Sequence, residues 1–566
     1  MALEPAAQLR SGAGHAAREA IAVLAKHPDH EPAMFDLIHA ANVLGPGAEG
    51  AVVLAQGLAL APGRADLLVN LGGLKDDLAE PSAALTLYRR ALLLAPIHPA
   101  IFNNLGSVLR GVGRSGEALD ALRRAMIVAP DFAAPASGLG NVYRDLAKFR
   151  AASAWYDRAI LLAPDAMAYR SNRLFLAHYI PGTTAVDLQA LHREWGQTVT
   201  EARRIAIPAI KPARPLRVGF SSPDFAVHPI GAFTLGLFAA ADREDMVVHA
   251  YNDRPQPDQV TAQLMGSSDI WRDTAALDHD SWRRLIRSDD LDLLIELAGH
   301  TAGNRLAAMV HRAAPVQASW AGYVGTTGLA TIDLLIADRH HVADADRAAY
   351  DETVVCLPES YISYTPFTSP PPIPPIPRAG GPVFSAFANP AKLNADLLGL
   401  WADLLARIPG STLLLRYRGL SDPAQRARLE RPFASRGVSA DRLTCEEGGN
   451  PADMISQYGR VDVVLDTHPY AGGLTTLEAL SMGVPVVTLP GATFASRHAA
   501  SHLMVAGLGN WVAGDAGSYL DLAAGMAKAP PSTRQAIRAS LNASPLMDHP
   551  RFARDFVAAI RLALRG

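Results

Sequence analysis

Five prolines, Pro28, Pro62, Pro96, Pro130 and Pro164, recur at a constant interval of 34 residues, and four of them follow an alanine. A second series keeps the same period: Leu71-Gly72, Leu105-Gly106 and Leu139-Gly140. Tyr88, Leu122 and Tyr156 form a third. Independent series with one period require a repeat, each unit a helical hairpin with too little apolar surface to close a core alone. Glycine in the first helix permits close approach of the second, and proline marks the turn between units. Stacking then buries the small-residue faces and winds a superhelix.

Period and layout resemble the tetratricopeptide repeat, expected here over 1–180. Helical solenoids mostly bind protein, so a protein or peptide acceptor along the superhelix is the default partner. Asn103, Asn104 and Asn141 suit a concave face that bonds peptide backbone; capping or solvation explains each equally well. After Pro164 the pattern loosens. Residues 169–177 and 185–204 read as helical, and the proline-punctuated 207–215 closes a connector, 181–215.

From Leu216 the texture changes to alternating strands and helices. Strands are predicted at 216–220, 246–252, 291–297, 316–323 and 332–338, with helices at 230–241, 257–266, 279–288 and 303–312. This alternation specifies a doubly wound parallel sheet over 216–367. The stretch 368–382 holds seven prolines and reads as an interdomain linker. A second alternation fills 383–566, with strands at 383–387, 412–417, 442–447, 461–466 and 484–489 and helices at 394–408, 423–436, 452–459, 475–482 and 496–507. The fold class is thus a helical superhelix followed by two Rossmann-like lobes, with a ligand cleft at the carboxyl ends of both sheets.

Chemistry is expected at those ends. In 461–491 a β-branched strand leads into a turn with Gly472 and Gly473, then Thr475 and Thr476 where a helix begins, with Glu478 in its first turn. A helix start offers unpaired N–H groups and positive potential to a phosphate, and a carboxylate one turn along accepts from ribose hydroxyls. Alone, this pattern also fits an ordinary capped αβ unit. His228 lies in the loop after the first strand, and Glu296 and His300 at the end of another. Gly322 belongs to a third polar loop, AGYVGTTG. In the second lobe Asn389 and Lys392 follow a strand, where a lysine reaches a diphosphate.

The array followed by SSPDFAVHP, GHT, GYVGTTG, AFANPAK, LDTHPYAGGLTT and TLPGATFASR resembles the O-linked N-acetylglucosamine transferase family, including SPINDLY-type relatives and bacterial homologues. The resemblance implies a GT-B enzyme that inverts the anomeric centre without a metal, using UDP-GlcNAc as co-substrate and no other cofactor. It assigns the active-site histidine to His228, the diphosphate lysine to Lys392 and a nucleotide contact to Asn389. Phosphate-binding threonines fall on Thr475 and Thr476, the ribose carboxylate on Glu478, and a polar segment near the sugar on Glu296 and His300. Two departures bear on donor choice. Gly473 and Leu474 precede the threonine pair where animal enzymes carry a histidine, and Met454 replaces a histidine against the base.

Chemistry leaves the base open among His228, Glu296, His300 and a donor phosphate oxygen. Asp290 and Asp292, and Asp344 and Asp346, spell the DxD metal signature; one precedes a buried strand and the other lies in an acidic surface run, so neither is expected to hold metal. GDP-fucose as donor, hexose transfer to asparagine, and a scaffold with weak transferase activity are the alternatives. The net charge of −3 gives no basis for nucleic-acid binding. No apolar run reaches a membrane span of about 18 residues, the first twenty residues have no signal-type apolar core, and the two cysteines form no disulfide framework. A cytoplasmic location is expected.

Overall fold

The computed structural model describes residues 3–45, 48–199, 215–373, 380–530 and 532–565. Residues 200–214 of the expected connector and 374–379 of the expected linker lie outside the described residues. The chain divides into two compact units, 1–142 with 154–164, and 143–153 with 165–566.

In the first unit, helical hairpins repeat through Ala65–Asp77 with Pro81–Leu94 and Pro99–Gly111 with Ser115–Val128. The sequence series meet in space. A methyl group on Gly72 would stand 2.8 Å from the Tyr88 ring, on Gly106 2.6 Å from Leu122, and on Gly140 2.5 Å from Tyr156. Each glycine therefore makes room for the side chain sixteen positions later, which is why two series share one period. The Tyr156 hydroxyl donates to Asn141 Oδ1 at 2.8 Å, so Asn141 is engaged within its own hairpin.

The second unit holds two wholly parallel sheets. The first comprises β1 (Leu216–Ser222), β2 (Met246–Asn252), β3 (Ile270–Asp273), β4 (Leu293–Glu296), β5 (Val316–Trp320), β6 (Leu334–Asp338) and β7 (Thr353–Leu357), in the order β3-β2-β1-β4-β5-β6-β7. The second comprises β8 (Val383–Ala386), β9 (Thr412–Arg416), β10 (Leu443–Glu446), β11 (Val463–Leu465) and β12 (Val486–Val487), in the order β10-β9-β8-β11-β12. The edge strands β3 and β7 add to the five strands predicted for the first sheet. β7 carries a readable β-branched signal, TVVCL, whereas partly exposed β3, IWRD, carries almost none. The helix expected over 303–312 shortens to Leu306–Met309.

Two segments pack where sequence position would not place them. The last helix, His549–Ala563, leaves the second sheet and lays Phe552 and Phe556 against Trp320 of β5. Helices Met167–Ala177 and Ala185–Val199 dock on the first sheet's loops, where a methyl on Gly196 would meet Gly328 O at 1.9 Å. Among the described residues no helix is long and apolar enough to cross a membrane, and Cys356 and Cys445 are free.

Candidate active site

Parallel strands deliver their following loops to one edge of each sheet. At the second sheet, the loops after β8, β11 and β12 lie side by side. Asn389 caps the short turn Pro390–Lys392 by accepting from Ala391 N at 3.0 Å. That turn aims Lys392 at the β11 loop, where its Nζ donates to Ala471 O at 2.8 Å and stands 4.0 Å from the Tyr470 ring centroid. Burial lowers the Lys392 pKa to about 8, with the Asp466 charge opposing. Asp466 accepts from Gly472 N at 2.7 Å and from the Thr488 hydroxyl at 2.6 Å. Burial raises its pKa to about 6 against those donors, so at neutral pH both groups are charged.

Gly472 has no space for a side chain: a methyl would stand 2.7 Å from Thr475 Oγ1 and 3.1 Å from Asp466 Oδ1. Gly473 is the N-cap of Leu474–Ser481, with no side chain capping that end and open space where a methyl would point. The hydroxyl of Thr476 is spent on Gly472 O at 3.0 Å. That of Thr475 makes no hydrogen bond among the described residues, so one threonine, not two, offers a free donor. Glu478 is the fifth helical residue, which corrects its expected place in the first turn. Its carboxylate has no hydrogen-bond partner among the described residues, and burial raises its pKa to about 7.

At the first sheet, His228 is the N-cap of Pro229–Ala240, with Nδ1 3.4 Å from Ile230 N and 3.8 Å from Asp224 Oδ2. Its side chain is 44% exposed, and its pKa is lowered, burial of the ring in its recess outweighing the Asp224 charge. Glu296 points elsewhere. It is 1% exposed and accepts from the backbone N–H groups of Ala298 and Gly299, so it braces its own loop. Burial raises its pKa to about 7.

His300 departs furthest from expectation. Its Nε2 lies 2.9 Å from Thr327 O and so carries the proton, while Nδ1 accepts from the Ser171 hydroxyl at 2.9 Å. Trp195 covers the ring at 4.4 Å, and burial lowers its pKa to about 3. With both nitrogens engaged, this ring has no lone pair for a substrate. Gly322 lies against the end of β4, where a methyl would overlap Leu297 O, and so packs two loops together. The proton transfer expected at His300 thus finds both ring nitrogens engaged.

The loop after β6 and the helix after β12 join the two edges. Arg497 donates to His341 O at 3.0 Å and to Asp346 Oδ2 at 2.6 Å, and His341 Nε2 lies 2.9 Å from His498 Nδ1. Sequence reading missed His341 and His498; the i, i+4 pair His498 and His502 was the only local signal. Of the DxD residues, Asp346 is held by Arg497, Asp344 pairs with Arg347, and Asp290 and Asp292 bond to Arg217 before β4, away from the carboxyl edge.

The sequence model of glycosyl transferase family 41 matches residues 202–364 and 378–556, and that of the tetratricopeptide repeat matches 138–166. The chain is 32% identical over 413 residues to the probable UDP-N-acetylglucosamine–peptide N-acetylglucosaminyltransferase SPINDLY of Solanum lycopersicum, covering 69% of this chain and 43% of that one. The counterpart from Oryza sativa subsp. japonica is 33% identical over 405 residues, covering 69% and 44%. This chain thus spans under half the length of these relatives. Among solved structures, a lysine-to-methionine mutant of the Thermobaculum terrenum O-GlcNAc transferase superposes with a TM-score of 0.83 at 31% identity, covering 88% of this chain and 97% of that one.

Proposed function

This chain belongs to glycosyl transferase family 41, and on that premise we propose that it moves N-acetylglucosamine from UDP-GlcNAc to serine or threonine hydroxyls of a peptide, inverting the anomeric centre without a metal. The observation that carries this reading is the meeting of two strand-end edges, with Lys392, the free Thr475 hydroxyl and an uncapped helix start gathered on one of them.

In the reaction, the acceptor oxygen bonds to the anomeric carbon as the bond from that carbon to the diphosphate oxygen breaks. The departing diphosphate gathers charge. Lys392, the Thr475 hydroxyl and the N–H groups at the helix start supply positive potential for it, the task a metal performs elsewhere. Glu478 supplies the acceptor for the ribose hydroxyls. Peptide is taken up along the helical repeats.

His228 serves the acceptor side in one of two tautomers. While Nδ1 accepts from Ile230 N, the neutral ring presents Nε2–H and orients a substrate oxygen, and the acceptor's hydroxyl proton passes to an oxygen of the departing diphosphate. A closer approach of Asp224 to Nδ1 moves the proton there and makes Nε2 the base.

The test is a nucleotide-sugar panel in the presence of EDTA, with mass spectrometry of peptide products. UDP-GlcNAc is expected to give hexosamine on serine or threonine and free UDP. A preference for GDP-fucose, attachment to asparagine, or no turnover of any donor overturns the proposal.

A further inference from the structure

A chain of imidazoles crosses between the sheets beside Lys392. Asp338 Oδ1 lies 3.0 Å from His341 Nδ1 and accepts from the N–H groups of His340 and His341 at 2.9 Å. Its Oδ2 accepts from Tyr361 N at 3.0 Å and from the Ser501 hydroxyl at 2.9 Å. Burial pushes this carboxyl upward, but His341 and the surrounding donors win and hold it below the usual range. An anionic Asp338 draws the His341 proton onto Nδ1.

The remaining protons follow from geometry. His341 Nε2 then carries a lone pair, and the 2.9 Å to His498 Nδ1 requires one proton between the two nitrogens. That proton sits on His498 Nδ1, with the Tyr361 hydroxyl oxygen 3.2 Å away. His498 Nε2 is left as a lone pair with no partner among the described residues, on a side chain whose residue is only 6% exposed. Burial, with the Lys392 charge beside it, keeps the ring neutral.

The surroundings identify what this lone pair takes. The ring of Tyr470 lies 6.3 Å from that of His498 and carries Lys392 Nζ on it at 4.0 Å. A neutral nitrogen lone pair repels a phosphate oxygen, since both are acceptors. It suits a hydroxyl or amide N–H, and the group next to a diphosphate in a nucleotide sugar supplies both. We infer that His498 Nε2 accepts a hydrogen bond from a hydroxyl or amide N–H of the transferred sugar. Asp338 and His341 are positioning residues that set its tautomer from the opposite sheet. The inference rests on the nucleotide-sugar reading above.

Calorimetric titration of the full chain with UDP and with UDP-GlcNAc separates sugar recognition from nucleotide recognition. His498→Phe is expected to leave UDP affinity within about twofold and to weaken UDP-GlcNAc about fivefold or more, the scale of one neutral hydrogen bond. His498→Gln, whose amide oxygen still accepts, is expected to keep most of the sugar preference, and His341→Leu to lose part of it with UDP unchanged. Equal weakening of both ligands, or of neither, in His498→Phe overturns the inference. So does a Gln variant as impaired as the Phe one. If His498→Phe does not fold, His498→Met carries the same requirement. A wild-type chain that binds neither ligand instead removes the transferase reading, and this inference with it.

Discussion

Lys392 Nζ stands 4.0 Å from the centroid of the Tyr470 ring while donating to the carbonyl of the next residue, Ala471. The ring face and the carbonyl hold a cation that has given up most of its water, ready for a charge that develops in front of it. Lys392→Met is expected to lower kcat about 10²-fold or more while UDP affinity falls much less, because leaving-group charge grows toward the transition state. Steady-state kinetics beside calorimetry reads this; an equal loss in both contradicts the assigned role.

The same lysine sets an alkaline limit. Its folded pKa of about 8 lies below the ordinary 10.5, so above pH 8 the free enzyme holds it increasingly neutral. UDP affinity is expected to fall as pH rises through 8, by up to about tenfold per unit, with proton uptake on binding visible in buffers of different ionisation enthalpy. Stability runs the other way. Between 8 and 10.5 the unfolded chain binds more protons at this site, so its contribution to folding rises with pH over that window.

Glu478 opposes stability and binding to each other. Its folded pKa of about 7 exceeds the ordinary 4.5, so the folded state binds more protons over that window and loses stability as pH rises through it. Glu478→Gln removes the buried charge and is expected to raise Tm at pH 8 by about 1–3 °C, while weakening UDP about three- to tenfold.

Two adjacent glycines give a paired test of the phosphate turn. Gly472→Ala pushes a methyl against Thr475 and Asp466 and is expected to weaken UDP at least about tenfold, with some loss of Tm. Gly473→Ala meets nothing within 4 Å and is expected to fold normally. It weakens UDP only if the nucleotide lies over the helix start, so unchanged affinity argues against that placement.

A histidine cluster predicts acid sensitivity. The Tyr323 hydroxyl lies 2.6 Å from His192 Nε2 and 3.0 Å from His178 Nε2, and His192 Nδ1 lies 2.6 Å from Leu188 O. Burial lowers the pKa of His192 to about 4 and of His300 to about 3. Their stabilising contribution is complete above the ordinary value of 6.5 and is lost as pH falls toward 4 and below. Melting curves are expected to drop steeply across that range. Tyr323→Phe, which leaves two buried ring nitrogens unpaired, is expected to cost on the order of 2 kcal/mol at pH 7.5.

The site was unevenly legible for one reason. Lys392 and Asn389 were readable because a residue just past a strand end must lie at the sheet edge, and a short turn leaves few directions for its side chain. His300 shares that sequence context with His228, yet Ser171 and Thr327, 129 and 27 residues away, claim both its nitrogens. The link between His341 and His498 spans 157 residues, so no local pattern announces it.

The amino-acid order by itself determined the 34-residue array and the alternation that lays strands into two parallel sheets, because repeat length and hydrophobic period are local properties of the backbone. Only the tertiary structure decided which polar side chains face a substrate. A loop histidine turns toward whichever distant donor or acceptor completes its hydrogen bonds, and that partner is chosen by packing.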